Sequence, residues 1–97
     1  MSGYALTGAA DADLTEIARY TARQWGYPQA ESYLLSLDAT FRTLAAHPDT
    51  GRAFSDREGY FRIESGSHVV FYRKEPPGVL IVRVLHQRMV PRWHLPY

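Results

Sequence analysis

Apolar residues recur at three- and four-residue steps through the first half of the chain and at alternate positions through the second, so helices precede strands. Tyr4-Ala5-Leu6-Thr7 alternates apolar and small residues and stops at Gly8, which predicts a short opening strand. From Ala9 to Trp25 the positions Leu14, Ile17, Ala18, Thr21 and Trp25 trace one buried helical face. Thr7 or Gly8 caps this helix, and Asp11, Asp13 and Glu16 lie in its first turns, where carboxylates meet the positive end of the dipole. Gly26 is placed to end it in a left-handed conformation. Pro28 suits the first position of a second helix, whose stripe runs Ala30, Leu34, Leu37, Phe41, Leu44 over four turns. His47-Pro48 closes it, and a one-residue link at Tyr27 makes the two helices an antiparallel hairpin.

Beyond the Pro48-Asp49-Thr50-Gly51 turn, Arg52 to Glu58 reads as a polar loop. Tyr60 to Glu64 alternates, Ser65-Gly66-Ser67 turns, and His68 to Arg73 is dense in β-branched and aromatic residues, which predicts a hairpin. Pro76-Pro77-Gly78 is a second turn before the longest strand, Val79 to Gln87. Strict alternation there puts Leu80, Val82 and Val84 on one face and Ile81, Arg83 and Leu85 on the other. The tail, Met89 to Tyr97, has two prolines and two aromatics, Trp93 and Tyr97, and reads as irregular. Strand, two helices and three strands predict an α+β fold: a helical hairpin packed on an antiparallel sheet of three C-terminal strands, with the N-terminal strand at a sheet edge. One sheet face is then uncovered. Arg62, His68, Tyr72, Arg83 and His86 are candidates to line it, although a one-residue register shift reverses which of them point outward.

Ninety-seven residues suit a single domain, 1–97, with one core. The absence of cysteine excludes disulfides, thiolate zinc sites and cysteine nucleophiles. Histidines at 47, 68, 86 and 94 lack the spacing of a local ligand pair, so neither metal nor cofactor is expected. No apolar run approaches membrane-spanning length and Met1-Ser2-Gly3-Tyr4 lacks the features of a signal peptide, which points to a cytoplasmic protein without membrane contact. The net charge of +1 conceals an asymmetry: residues 1–49 carry six acids and three bases, residues 50–97 eight bases and four acids. A cationic C-terminal half fits an acidic partner, though scattered arginines also keep a sheet soluble.

One set of residues runs in order through Leu6-Thr7, Ala10, Asp13-Leu14, Ile17, Tyr20, Trp25-Gly26, Tyr33-Leu34 to Leu44, His47-Pro48 and Gly51-Arg52. It continues in Tyr60 to Arg73 and in Val79 to Met89, ending in Val84-Leu85-His86-Gln87-Arg88-Met89. In these residues essentially the whole chain resembles the ParE branch of the RelE/ParE toxin superfamily. The resemblance implies a type II toxin, sometimes called a plasmid stabilization protein, neutralised by an antitoxin encoded beside it. ParE-type toxins act on DNA gyrase, whereas RelE-type relatives cleave messenger RNA on the ribosome.

Ribonuclease chemistry needs a base, an acid and fixed cations on the developing phosphorane, for which His68, His86, Arg62 and Arg83 are the candidates. Against it, Gln87-Arg88-Met89 stands where the RNase relatives carry a tyrosine, and Lys74 is the only lysine. A binding toxin asks only for anchors, and His86, Met89, Arg92 and Trp93 are the candidate target-binding residues; for Trp93 the other reading is that it folds back over the core edge. Arg62, Arg73, Arg83 and Arg88 are the candidate antitoxin-binding cations, facing the acids of a ParD-like segment laid on an exposed sheet edge or apolar groove. The sequence reading is therefore a non-catalytic gyrase inhibitor with no direct nucleic-acid contact. The alternatives are a ribosome-dependent mRNA endonuclease and an inactive member that only binds antitoxin and takes part in operon repression.

Overall fold

The computed structural model describes residues 3–95, so Tyr97 and the first two residues lie outside the described chain. β1 (Tyr4–Leu6) leads into α1 (Gly8–Trp25) through Thr7, whose hydroxyl accepts from the Ala10 N–H at 3.0 Å. Gly26 ends α1 at φ 91° and is itself the single linking residue, because Tyr27 already belongs to α2 (Tyr27–Ala46). The predicted stripe buries Ala30, Leu37, Phe41 and Leu44, and His47 closes α2 before Pro48.

The remaining strands are β2 (Arg52–Ala53), β3 (Phe61–Ser65), β4 (His68–Glu75) and β5 (Gly78–His86), followed by a 3-10 turn at Pro91–Trp93. Their order in one sheet is β1-β5-β4-β3-β2, antiparallel except that β1 runs parallel to β5. The predicted three-stranded meander is therefore the centre of a five-stranded mixed sheet. β2 falls within the segment read as a polar loop; two residues pair through backbone alone and leave no periodic signal.

The alternation expected for β5 fails at a bulge. Phe71 pairs with Arg83 and Tyr72 with Ile81, so Val82 has no partner on β4. Val79, Ile81 and Val84 consequently join Leu37, Phe41, Leu44, Val70 and Tyr72 beneath the helices. Leu80, Val82 and Leu85 face the other way, where they meet Val69, Phe71, Phe54, Tyr60 and Leu95. The second face, expected to be uncovered, is thus partly roofed by the loop between β2 and β3 and by the tail. Phe54 packs edge-on against Phe71 with ring centroids 5.2 Å apart.

Tyr72 lies wholly within the core, yet its hydroxyl donates to the Pro48 carbonyl (2.7 Å) and accepts from the Gly51 N–H (3.0 Å). A Cβ on Gly51 would sit 2.6 Å from that hydroxyl, which explains the glycine. Burial raises the Tyr72 phenol above its ordinary value, with the Gly51 hydrogen bond opposing.

Candidate functional site: an arginine face and a two-histidine cleft

β3 and β4 expose a run of guanidinium groups on the second sheet face. Arg62 pairs across the sheet with Phe71 and lies 5.8 Å from the centroid of that ring. Its Nε is buried and has no hydrogen-bond partner among the described residues. Leaving such a donor unmet costs about 1–3 kcal/mol. Arg57 and Arg73 share the Tyr60 ring at 5.4 and 6.0 Å from its centroid, and Arg52 reaches Glu64 at 3.4 Å. The sequence did not signal Tyr60 as the residue that gathers these cations.

Arg83 is placed differently. β1 stops opposite Ile81, which leaves the outer edge of β5 without a strand beyond that point. Side chains close it: the Thr7 hydroxyl donates to the Val82 carbonyl (2.7 Å), and Asp13 of α1 accepts from the Val84 N–H (3.0 Å). The same carboxylate takes two bonds from Arg83, Nε to Oδ2 and Nη2 to Oδ1, both at 2.8 Å. Nη1 of Arg83 donates to the His94 carbonyl at 2.6 Å and so ties down the tail. The Asp13 bond holds the Arg83 guanidinium above its ordinary value, burial opposing. Asp13, read from sequence as a helix-dipole carboxylate, is in fact the counter-charge of Arg83.

A cleft of about 610 Å³ opens between the helical hairpin and the far end of the sheet, with Tyr20, Arg23, Trp25, Tyr33, His68, His86, Arg88 and Met89 in its wall. Tyr33 of α2 crosses to the β3–β4 turn, where its hydroxyl lies 2.6 Å from His68 Nδ1 and accepts from the Ser67 N–H at 3.2 Å. Gly66, at φ 60°, lets the ring come this close, since a Cβ there would meet Tyr33 at 2.7 Å. His68 and His86 face each other edge-on at 5.4 Å, and the Arg88 N–H donates to His86 Nδ1 at 3.2 Å. Burial lowers His68 below the usual histidine value; His86 adds to the shift and Asp13 opposes it.

The structure therefore brings together His68, His86, Arg88 and Met89, and separately Arg62 and Arg73. Arg92 and Trp93 sit on the 3-10 turn, where Trp93 stays 72% exposed while Leu95 is the tail residue that folds onto the sheet. The four residues that ribonuclease chemistry would need are divided: two histidines in the cleft, Arg62 on the opposite face and Arg83 bound to Asp13 at the sheet edge. Among the described residues no group of three or more histidines and carboxylates is placed to hold a metal ion, and no helix is long and apolar enough to cross a membrane.

Comparison with known proteins adds a family to this geometry. The sequence profile described as "ParE toxin of type II toxin-antitoxin system, parDE" matches residues 4–91. "Toxin ParE1" of Caulobacter vibrioides is 47% identical over 96 residues, 98% of this chain and 99% of that protein. "Toxin ParE1" of Mycobacterium tuberculosis is also 47% identical, over 90 residues, 91% and 92% of the two chains. Among solved structures, a chain of the "Chromosomal ParDE TA system from P. aeruginosa" superposes with a TM-score of 0.76 over 89% of this chain and 96% of its own, at 18% identity. At that identity the likeness is one of fold.

Proposed function

Because the chain belongs to the ParE toxin family of type II toxin–antitoxin systems, we propose that it is a non-catalytic cytoplasmic ligand that inhibits DNA gyrase and is neutralised by a ParD-like antitoxin. The observation that carries the antitoxin half is the β3–β4 face, where the Arg62 and Arg73 guanidinium groups stand over aromatic rings and form no ion pair among the described residues. An acidic antitoxin segment supplies carboxylates to these two guanidinium groups. Arg88, at the cleft mouth, lies apart from it, and Arg83 contributes by shaping the sheet edge, since Asp13 already compensates its charge. Met89, Arg92 and Trp93 follow the last strand as exposed anchors for the target, and His86 ends that strand.

Two assays test the reading together. Purified protein is expected to block supercoiling by gyrase and to leave messenger RNA intact on translating ribosomes, and cleavage without loss of supercoiling overturns it. For the antitoxin face, R62E and R73E are expected to weaken cognate antitoxin binding in calorimetry by at least tenfold each, about 1.4 kcal/mol, while R23E on the helix side has little effect. Equal losses from all three substitutions contradict the assignment.

A further inference from the structure

The two-histidine cleft shares His86 and Met89 with the surface proposed for the target, yet its chemistry goes beyond what either partner above requires. Its volume, about 610 Å³, lies within the roughly 300–1,000 Å³ of small-molecule sites. Arg23 and Arg88 in its wall form no ion pair among the described residues, and the one acid there, Glu16, is held by Arg19 at 2.8 Å. The cleft thus presents unbalanced positive charge. Its two imidazoles are fixed through Nδ1, by the Tyr33 hydroxyl in His68 and by the Arg88 N–H in His86. Because His86 Nδ1 accepts a hydrogen bond, the neutral ring carries its proton on Nε2. A histidine that binds metal through Nε2 has the reverse arrangement, donating from Nδ1. His86 is consequently set to donate from Nε2 to an anion, not to ligate a cation through that nitrogen. At its rim stand Tyr20, 58% exposed, and Trp25, 72% exposed, large aromatic faces without a place in either core cluster.

We propose that this cleft binds a phosphate-bearing aromatic ligand of mononucleotide size, with Arg23, Arg88 and the His86 Nε2–H on the phosphate and Trp25 and Tyr20 stacked on the base. Guanidinium groups and N–H donors match phosphate oxygens, and exposed aromatics accept any base through its π-face. Each half of such a ligand would be held by groups the fold leaves without another partner.

The test titrates the full chain with adenosine monophosphate, inorganic phosphate and adenosine, reading the histidine Hε1 resonances by NMR and tryptophan fluorescence. Adenosine monophosphate is expected to shift His68 and His86 saturably at millimolar concentration or below, leaving His47 and His94 unmoved. Phosphate should shift the same two resonances more weakly, and adenosine alone should bind more weakly still. R88Q keeps the backbone N–H that orients His86 and is expected to raise the dissociation constant for the nucleotide about tenfold. W25A should weaken the nucleotide but not inorganic phosphate. A short single-stranded oligonucleotide run in parallel distinguishes a free nucleotide from one within a strand as the source of the same chemistry. No saturable shift with adenosine monophosphate, adenosine binding as well as its phosphate, or R88Q binding like the unaltered chain each overturns the proposal. None of these outcomes depends on gyrase or on the antitoxin.

Discussion

Replacing Asp13 by alanine removes one carboxylate and strands three donors: two N–H groups of Arg83 and the Val84 backbone N–H. Breaking a fully buried ion pair by deleting one partner costs about 3–5 kcal/mol. Here the Arg83 and Asp13 side chains retain 19% and 15% of their exposure, so water recovers part of the loss and about 2–3 kcal/mol is the reasoned figure. A domain of this size is stable by roughly 5–15 kcal/mol, so D13A should remove a substantial fraction. With a urea slope of about 1 kcal/mol/M the midpoint falls by about 2–3 M. Adding R83M eliminates the stranded guanidinium, and the double variant should recover about 1 kcal/mol or more relative to D13A alone. Urea unfolding of the four chains in this cycle measures the coupling. If D13A shifts stability by less than about 0.5 kcal/mol, or if the two substitutions simply add, the carboxylate is not what seals the β5 edge.

Three further outcomes follow from other parts of the fold. F54A should cost about 3 kcal/mol or more in urea unfolding, because Phe54 packs on Phe71 in the second apolar cluster; a loss near zero would mean that this face is not a core. Y72F leaves the Pro48 carbonyl and the Gly51 N–H without their partner and should cost about 1–3 kcal/mol, and an unchanged midpoint would refute the role given to that hydroxyl. His68 is held below its ordinary value, about 6.5, by burial first and His86 second, so the unfolded chain takes up the proton before the folded one. Its contribution is therefore intact above about pH 6.5 and lost as pH falls through the lowered folded value. Urea midpoints at a neutral and a mildly acidic pH should fall more for the unaltered chain than for H68Q, and parallel falls would contradict the shift.

What was legible in the sequence is what repeats locally. The α2 stripe from Ala30 to Leu44 follows the helical period because a single face is buried, and Leu37, Phe41 and Leu44 are indeed among its buried positions. The β3–β4 hairpin is marked by alternation before Gly66 and by β-branched and aromatic residues after it. The features that sequence reading missed depend on contacts between distant segments. Nothing near Val82 announces a bulge; it arises where β5 passes from pairing with β1 to being sealed by Thr7 and Asp13. Phe54 lies in a segment that reads as a polar loop and Tyr60 at its end, so their burial shows only once the β2–β3 loop is folded over Phe71.

The arginines show how far counting charges can go. The basic excess of residues 50–97 points correctly to a cationic surface, yet the count treats unlike groups as equal. Lys74 is bonded to Asp49, Arg52 to Glu64 and Arg83 to Asp13, and in each case a carboxylate of the same chain already meets the charge. Arg62 and Arg73 lie on one sheet face, while Arg88 lies with Arg23, a residue of the acidic half, around the histidine cleft. The unmet positive charge is therefore smaller than the sequence total and gathers in two separate places, with Arg92 apart from both on the 3-10 turn. Two faces differing in aromatic neighbours and hydrogen-bond donors are suited to two different anions, so reversing a charge on one should leave binding at the other largely intact.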